Sequence, residues 1–347
     1  MTEGASVLPD LEGFGAAISF GNHVTPPPNG DFAILPDYMD FVSEGDVLSL
    51  SDQGHVWVVF RKSSNYNTFL LTEQCNHLCL MCSQPPKKID DSWLLKQAID
   101  VIDFIPKATF RMGYSGGEPT IYGDGLVDLI EKCAGMLPNT MIDILTNGRA
   151  FADPIYAKKI AEVNHKNCLI CIPVYSSEPE IHDYVVQSAG AFDETIDGIL
   201  NLKALKQKVE LRIVLHKQTI ETLVETCHFI SKSLRFVDHV ALMGLEITGF
   251  TRANLEDLWI DPHDYKDELS KAIYILNASN IRASVYNHQL CTVNPDILSN
   301  YVHSISDWKN EYLDKCEGCL KKAQCGGFFS SSILYRHSSK IVPFTQI

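Results

Sequence analysis

From residue 66 onward, apolar runs of strand length alternate with amphipathic runs of helix length, and this alternation constrains the chain more than any other feature. Candidate strands cover 67–72, 108–114, 140–145, 168–175, 209–215 and 238–246, and candidate helices cover 92–105, 123–136, 154–163, 192–206, 219–233 and 263–279. Parallel neighbours in a sheet need long crossovers, so strands that each lead into a helix predict a parallel sheet. Six such units suit a curled sheet better than a short open one, which predicts an α/β fold of partial (β/α)6 barrel type. Ser92 reads as the N-cap of the first helix and Pro106 as its stop.

The two ends break this rhythm. Residues 1–62 begin rich in Pro and Gly (Pro26, Pro27, Pro28, Gly30) and then carry Val47-Leu-Ser-Leu50 and Val56-Trp-Val-Val-Phe60 around Asp52-Gln-Gly54, a hairpin pattern. A small β-rich appendage is expected there, a barrel over 63–281, and a separate C-terminal subdomain over 282–347. No apolar run approaches the ~18 residues of a membrane span, and the first 20 residues hold Glu3, Asp10 and Glu12 without Lys or Arg. A cytoplasmic protein without a membrane partner is the expectation. A net charge of −14 argues against a nucleic-acid partner, since phosphate binding leaves a basic footprint. Lys315, Lys321 and Lys322 form a local basic group that reads as solvated surface.

Eleven cysteines are many for a chain in a reducing compartment, where clustered thiols mean metal or redox chemistry. Cys133, Cys168, Cys171 and Cys227 sit in apolar patterns and read as small core residues. The other seven form two groups. Cys75-Asn-His-Leu-Cys79-Leu-Met-Cys82 directly follows the first candidate strand, at the strand end where barrel enzymes place their active sites. Three thiolates can hold three irons of a cubane cluster and leave the fourth open; a zinc site completed by His77 is the alternative. Cys316-Glu-Gly-Cys319 and Cys325 lie near the end, with Cys291 upstream as the natural fourth ligand of a closed metal site, iron–sulfur or zinc.

A strand followed by C-x3-C-x2-C resembles the start of the radical S-adenosylmethionine superfamily. That resemblance implies a second strand ending in a Gly-Gly-Glu-Pro-like turn, and Tyr114-Ser115-Gly116-Gly117-Glu118-Pro119 stands there. Glycines admit close approach of backbone to ligand, and a carboxylate can pair with the methionine ammonium. The resemblance further implies cofactor contacts from Asn147 after the third strand, Ser176 and Ser177 after the fourth, Arg212 on the fifth, and the Gly244–Gly249 segment after the sixth. Met81 stands where many relatives carry an aromatic residue near adenine. Caps, turns and a surface ion pair are the bland readings of these residues.

The Cys316, Cys319, Cys325 spacing is similar to the auxiliary-cluster (SPASM) region of peptide-modifying members, cut short because Phe329 stands where another cysteine usually follows. One auxiliary [4Fe–4S] cluster is implied. From about residue 35 to the end, including Cys79-Leu-Met-Cys82-Ser-Gln-Pro-Pro86, Ser304-Ile-Ser-Asp-Trp308-Lys and Cys325-Gly-Gly-Phe-Phe329, the chain resembles the His-Xaa-Ser system radical maturases of type C. This implies S-adenosylmethionine and two clusters as cofactors, and a small polypeptide with His-Xaa-Ser repeats as substrate. It also implies a companion maturase and an external electron donor of flavodoxin or ferredoxin type. A nucleobase- or tRNA-modifying radical enzyme and a non-enzymatic metal scaffold are the rival readings. No catalytic residue is singled out; Tyr114, His182 and His288 are the candidates for a proton or hydrogen role.

Overall fold

The computed structural model describes residues 16–20, 31–51, 54–303 and 310–346. Eleven strands are seen among them: β1 Ala16–Phe20, β2 Asp31–Leu35, β3 Val47–Leu50, β4 Val56–Phe60, β5 Asn67–Leu70, β6 Arg111–Ser115, β7 Met141–Leu145, β8 Cys168–Pro173, β9 Lys208–Leu215, β10 His239–Gly244 and β11 Ala283–Tyr286. Strands β5 to β11 form one all-parallel sheet in strict chain order. The crossovers carry α1 Ser92–Val101, α2 Asp124–Met136, α3 Pro154–Glu162, α4 Pro179–Val186, α5 Ala191–Ala204, α6 Lys217–Ile220, α7 Leu223–Ser233, α8 Phe250–Ala253, α9 Leu255–Leu258 and α10 Lys266–Ala278. Among the described residues, no helix is long and apolar enough to cross a membrane.

Alternation along each strand sorts the residues between two faces. Met112, Tyr114, Ile142, Ile144, Leu211 and Ile213 are fully buried against the helices, in one continuous core. The opposite face curls inward. Arg111 on β6 and Tyr286 on β11 line one cavity although five strand spacings separate them; a flat sheet would hold them roughly 24 Å apart. The sheet is a partial barrel with a lumen, left open between its edge strands β5 and β11.

The expected α/β barrel is present with one strand more than predicted. Strand β11 falls beyond residue 281, where the sequence pattern stops, because Ala-Ser-Val-Tyr is too short to show a period. The predicted hairpin is the antiparallel pair of β3 and β4; its turn residues Asp52 and Gln53 lie outside the described residues, as do Pro26 to Pro28, Gly30 and the Ser304–Lys309 stretch. Ser92 is not the cap of α1: the helix begins on it, and Asp91 holds the N-cap position without a capping hydrogen bond. The Asp91 carboxylate is engaged elsewhere, as described next.

Candidate active site

Cys75, Cys79 and Cys82 occupy the loop that leaves the C-terminal end of β5. The loop is held on every side. On one side Gly117 donates to the Thr72 carbonyl (2.7 Å) and Glu118 to the Gln74 carbonyl (2.8 Å), which extends the β5–β6 pairing past the strand ends. On another, Leu78 and Leu80 donate to the carbonyls of Val186 (3.1 Å) and Val185 (2.9 Å). From beyond β10, Phe250 donates to the Cys82 carbonyl (2.8 Å), Thr251 Oγ1 to that of Met81 (3.0 Å) and Asn254 Nδ2 to that of Leu80 (2.9 Å). Asp91, 1% exposed, binds the strand exit itself: it accepts from Thr72 Oγ1, from Gln74 Nε2 and from the Tyr122 hydroxyl at 2.6 Å, and from the Glu73 amide. Burial raises the Asp91 pKa, but these four donors outweigh it and hold the group below the ordinary carboxylate value.

The glycines of the turn serve the chain before any ligand. A Cβ on Gly117 would lie 2.0 Å from the Gln74 carbonyl oxygen, and one on Gly116 would lie 2.6 Å from that of Thr72. Gly249, at φ +52°, passes 2.3 Å (by the same measure) from the Cys82 carbonyl oxygen. The Glu118 side chain turns into the protein. It accepts from the Thr120 amide and hydroxyl (3.0 and 2.7 Å), from Thr146 Oγ1 (2.6 Å) and from the Asn147 amide (2.6 Å), tying the second strand's turn to the third. Burial nonetheless pushes its pKa up.

The remaining predicted residues divide by height. Asn147 joins the loop directly, its Nδ2 donating to Asn76 Oδ1 at 2.6 Å. Ser115 ends β6, and its carbonyl accepts from Leu71 at 2.7 Å. Met81 packs into a small apolar cluster with Tyr175, Val185 and Leu258. Ser176 is fully buried, paired with Thr222 Oγ1 at 3.0 Å, while the Ser177 amide donates to Thr226 Oγ1. Arg212 stands apart from this mouth, inside the lumen and paired with Glu210 at 2.7 Å. The candidates for proton or hydrogen transfer have fixed partners: Tyr114 meets Cys133 Sγ, His182 accepts from the Tyr175 amide, and His288 pairs with the Tyr265 hydroxyl. Cys133, Cys168 and Cys227 lie in the helix-side core as expected. Cys171, equally buried, faces Arg212 and Glu210 instead, because strand alternation sends it to the lumen.

The donor set of the loop fits a cationic cluster. Burial, and then the neighbouring acids and thiols, push Cys75 up to about 11 and Cys79 higher still, and burial also raises Cys82. Three such thiols are thiolates only when cations neutralise them. His77, the alternative zinc ligand, keeps its Nδ1 4.0 Å from Cys79 Sγ. Cys291, Cys316, Cys319 and Cys325 meet in a second place, around a small cleft also lined by Phe328 and Phe344. Backbone amides point at their sulfurs: Leu290 and Gly327 at Cys325 (3.4 and 3.5 Å), and Phe344 at Cys319 (3.4 Å). Lys321 and Lys322 cover the rings of Phe344 and Tyr312 beside it. Among the described residues, no three His, Cys, Asp or Glu side chains converge as closely as a single metal ion requires.

Residues 69–230 match the sequence profile of the Radical SAM superfamily. This stretch is a radical SAM domain. No curated protein matches the chain. Among solved structures, Streptococcus suis SuiB bound to S-adenosylmethionine is similar with a TM-score of 0.50 and 18% identity, over 67% of this chain and 54% of that one. Native anSMEcpe with bound AdoMet gives 0.48 and 18%, over 63% and 62%. Methylornithine synthase (PylB) gives 0.48 and 14%, over 64% of each chain. The chain thus spans about half the length of SuiB, and the likeness is one of fold.

The radical SAM domain owes its mouth to residues that sequence reasoning passed over. Nothing in the sequence singles out Asp91, Thr251 or Asn254, because the partners of each lie far away in the chain. The glycines were visible, but the backbone they make room for was not.

Proposed function

We propose that the protein is a radical enzyme that modifies a ribosomally made polypeptide. Cys75, Cys79 and Cys82 would hold three irons of a [4Fe–4S] cluster and leave the fourth to the amine and carboxylate of S-adenosylmethionine. When bound, these groups would supply a 5′-deoxyadenosyl radical, by one-electron reductive cleavage that releases methionine, for abstraction of a hydrogen atom from a substrate carbon. The observation that carries the reading is the presentation of three thiols in one clamped loop, against the Gly116–Glu118 turn, at the C-terminal mouth of a parallel barrel.

The chain's own residues orient and exclude. The main chain of Ser115, Gly116 and Gly117 would face the methionine, with the Glu118 carboxylate setting the turn from behind. Asn147 and Met81 hold opposite flanks of the loop, and Ser176 and Ser177 stand at the end of β8 for the ribose. Arg212 would act from below, fixed by Glu210. Beyond β11, residues 287–347 would form an auxiliary [4Fe–4S] subdomain through Cys291, Cys316, Cys319 and Cys325, with 1–62 as a separate appendage. Backbone amides directed at Cys319 and Cys325 give these sulfurs hydrogen-bond donors, as the ligands of a metal site need. The substrate would be a small polypeptide with His-Xaa-Ser repeats, handled with a companion maturase and a flavodoxin- or ferredoxin-type donor in the cytoplasm.

The test is anaerobic reconstitution with iron and sulfide, followed by dithionite and S-adenosylmethionine. Wild type is expected to form 5′-deoxyadenosine and Cys79→Ala none; product from both, or from neither at full iron content and with a repeat peptide added, would sink the proposal.

A further inference from the structure

The short helices α8 and α9 form an arm whose contacts reach toward both cysteine groups. Toward the first, Phe250 donates to the Cys82 carbonyl, Thr251 Oγ1 to that of Met81 and Asn254 Nδ2 to that of Leu80. Toward the second stands the C-terminal tail. The Arg252 guanidinium lies over the Tyr335 ring, 4.5 Å from its centroid, and that of Arg336 lies over Trp259 at 5.2 Å. Arg336 also pairs with Glu256, and just past α9 the Ser339 amide donates to Asp261 Oδ2 (3.3 Å). The barrel adds its own hold through α6, where Lys217 Nζ and Gln218 Nε2 donate to the carbonyls of Glu256 and Asp257.

The tail is tied to the C-terminal thiols at both of its ends. It leaves Cys325 through the buried Phe328, forms α11 Ser330–Leu334 and presents Tyr335 and Arg336 to the arm. It then returns. Ile341 packs with Cys316 and Phe328, the Val342 amide donates to Cys291, and the Phe344 amide donates to Cys319 Sγ (3.4 Å). The Phe344 carbonyl accepts from Leu320 (2.9 Å), which fixes the returning chain beside that sulfur.

We infer that Tyr335 and Arg336 are positioning residues for the cysteine loop, and that they carry order from the C-terminal thiol site to the arm that holds Cys82. The inference rests on metal occupancy of that site, as proposed above. Metal binding turns thiols into thiolates, and hydrogen bonds to a charged acceptor are roughly twice as strong as neutral ones. Occupancy therefore tightens the bonds of Val342 and Phe344, fixes the tail and keeps Tyr335 and Arg336 on α8 and α9. The hold through α6 keeps the arm in place when the tail loosens, so the loop is adjusted rather than lost.

The experiment uses the full chain reconstituted with iron and sulfide, and reads metal content together with hydrogen exchange of residues 249–259 by mass spectrometry. The amides of Phe250, Asn254, Leu258 and Trp259 are bonded within or from the arm, so their exchange reports its opening. Cys319→Ala with Cys325→Ala should empty the C-terminal site. Exchange of 249–259 should then speed up about tenfold, the effect of losing two cation–π contacts and a surface ion pair. Tyr335→Ser with Arg336→Ser should speed it equally while metal stays bound, and joining the two pairs of changes should add nothing further. Tyr335→Phe with Arg336→Lys keeps a ring and a cation and should exchange as wild type does. An unchanged arm in the cysteine variant, additive effects in the joined one, or equal exchange in the serine and conservative pairs overturns the inference. Loss of metal with an unchanged arm would leave the proposed function standing. Equal metal content in wild type and the cysteine variant would instead remove the reading on which the inference stands.

Discussion

The two cysteine sites solve the same problem with different supports. The Cys75–Cys82 loop has little structure of its own, yet backbone and side-chain bonds reach it from the ends of β6, β10 and α4. The C-terminal site has 3-10 turns at Leu290–Thr292, Asp314–Cys316 and Lys322–Gln324, and its buried apolar cluster is Cys316, Phe328 and Ile341. A barrel core holds the first whether or not a ligand is present. The second has only this small apolar cluster to fold on, so with the proposed metal bound its order would depend more on what its sulfurs hold. On the proposed function, one site is positioned by the fold and the other would help to make it.

The largest expected difference is between Cys79→Ala and Cys319→Ala. The first should abolish 5′-deoxyadenosine formation with the unfolding midpoint nearly unchanged, while the second should lower the protection of residues 287–347 in hydrogen exchange. A collapse of the whole domain in Cys79→Ala would break the comparison. Metal removal comes next. Chelation should open the C-terminal region to protease while a fragment containing β5 to β11 survives, read by mass spectrometry of the digest; equal resistance of both regions would mean the tail folds unaided.

Smaller effects come from the glycines. Gly117→Ala places a Cβ 2.0 Å from backbone and should cost about 3 kcal/mol in denaturant unfolding. Gly318, at φ +78° with nothing within 4 Å, should lose only about 1 kcal/mol, from backbone strain. Similar losses at both would erase the distinction between a clamped loop and an open turn. The smallest effect is a pH slope from Glu118. Burial raises its folded pKa above the ordinary value, so its stabilising contribution is present at acid pH and lost as pH rises through that folded value. Against Glu118→Gln, the wild-type melting temperature should therefore decline relative to the variant from acid to neutral pH. A relative rise would assign the four bonds to Glu118 the larger part.

Much of this was legible in the chain. Six strands, their helices and both cysteine groups appear as patterns of period and spacing within a few residues of their observed bounds. Strand β11 did not, since four residues carry no period. Ser92 misled because a cap needs a side chain free to turn back on its own helix. Asp91, the residue actually at the cap position, is drawn away by Thr72, Gln74 and Tyr122. Cys171 is buried as expected, but an apolar strand has two faces, and register alone decides that this one meets the lumen.

The sequence by itself determined the parallel α/β scaffold, the two places where thiols gather and the glycine turn beside the first, because each is written in neighbours a few residues apart. Only the tertiary structure decided that Glu118 faces inward and that Tyr66 reaches Asp143 across Gly113. It also left one carboxylate oxygen of the lumen without a partner. These depend on strand register and barrel curvature, which bring together residues up to 77 positions apart that no local pattern connects.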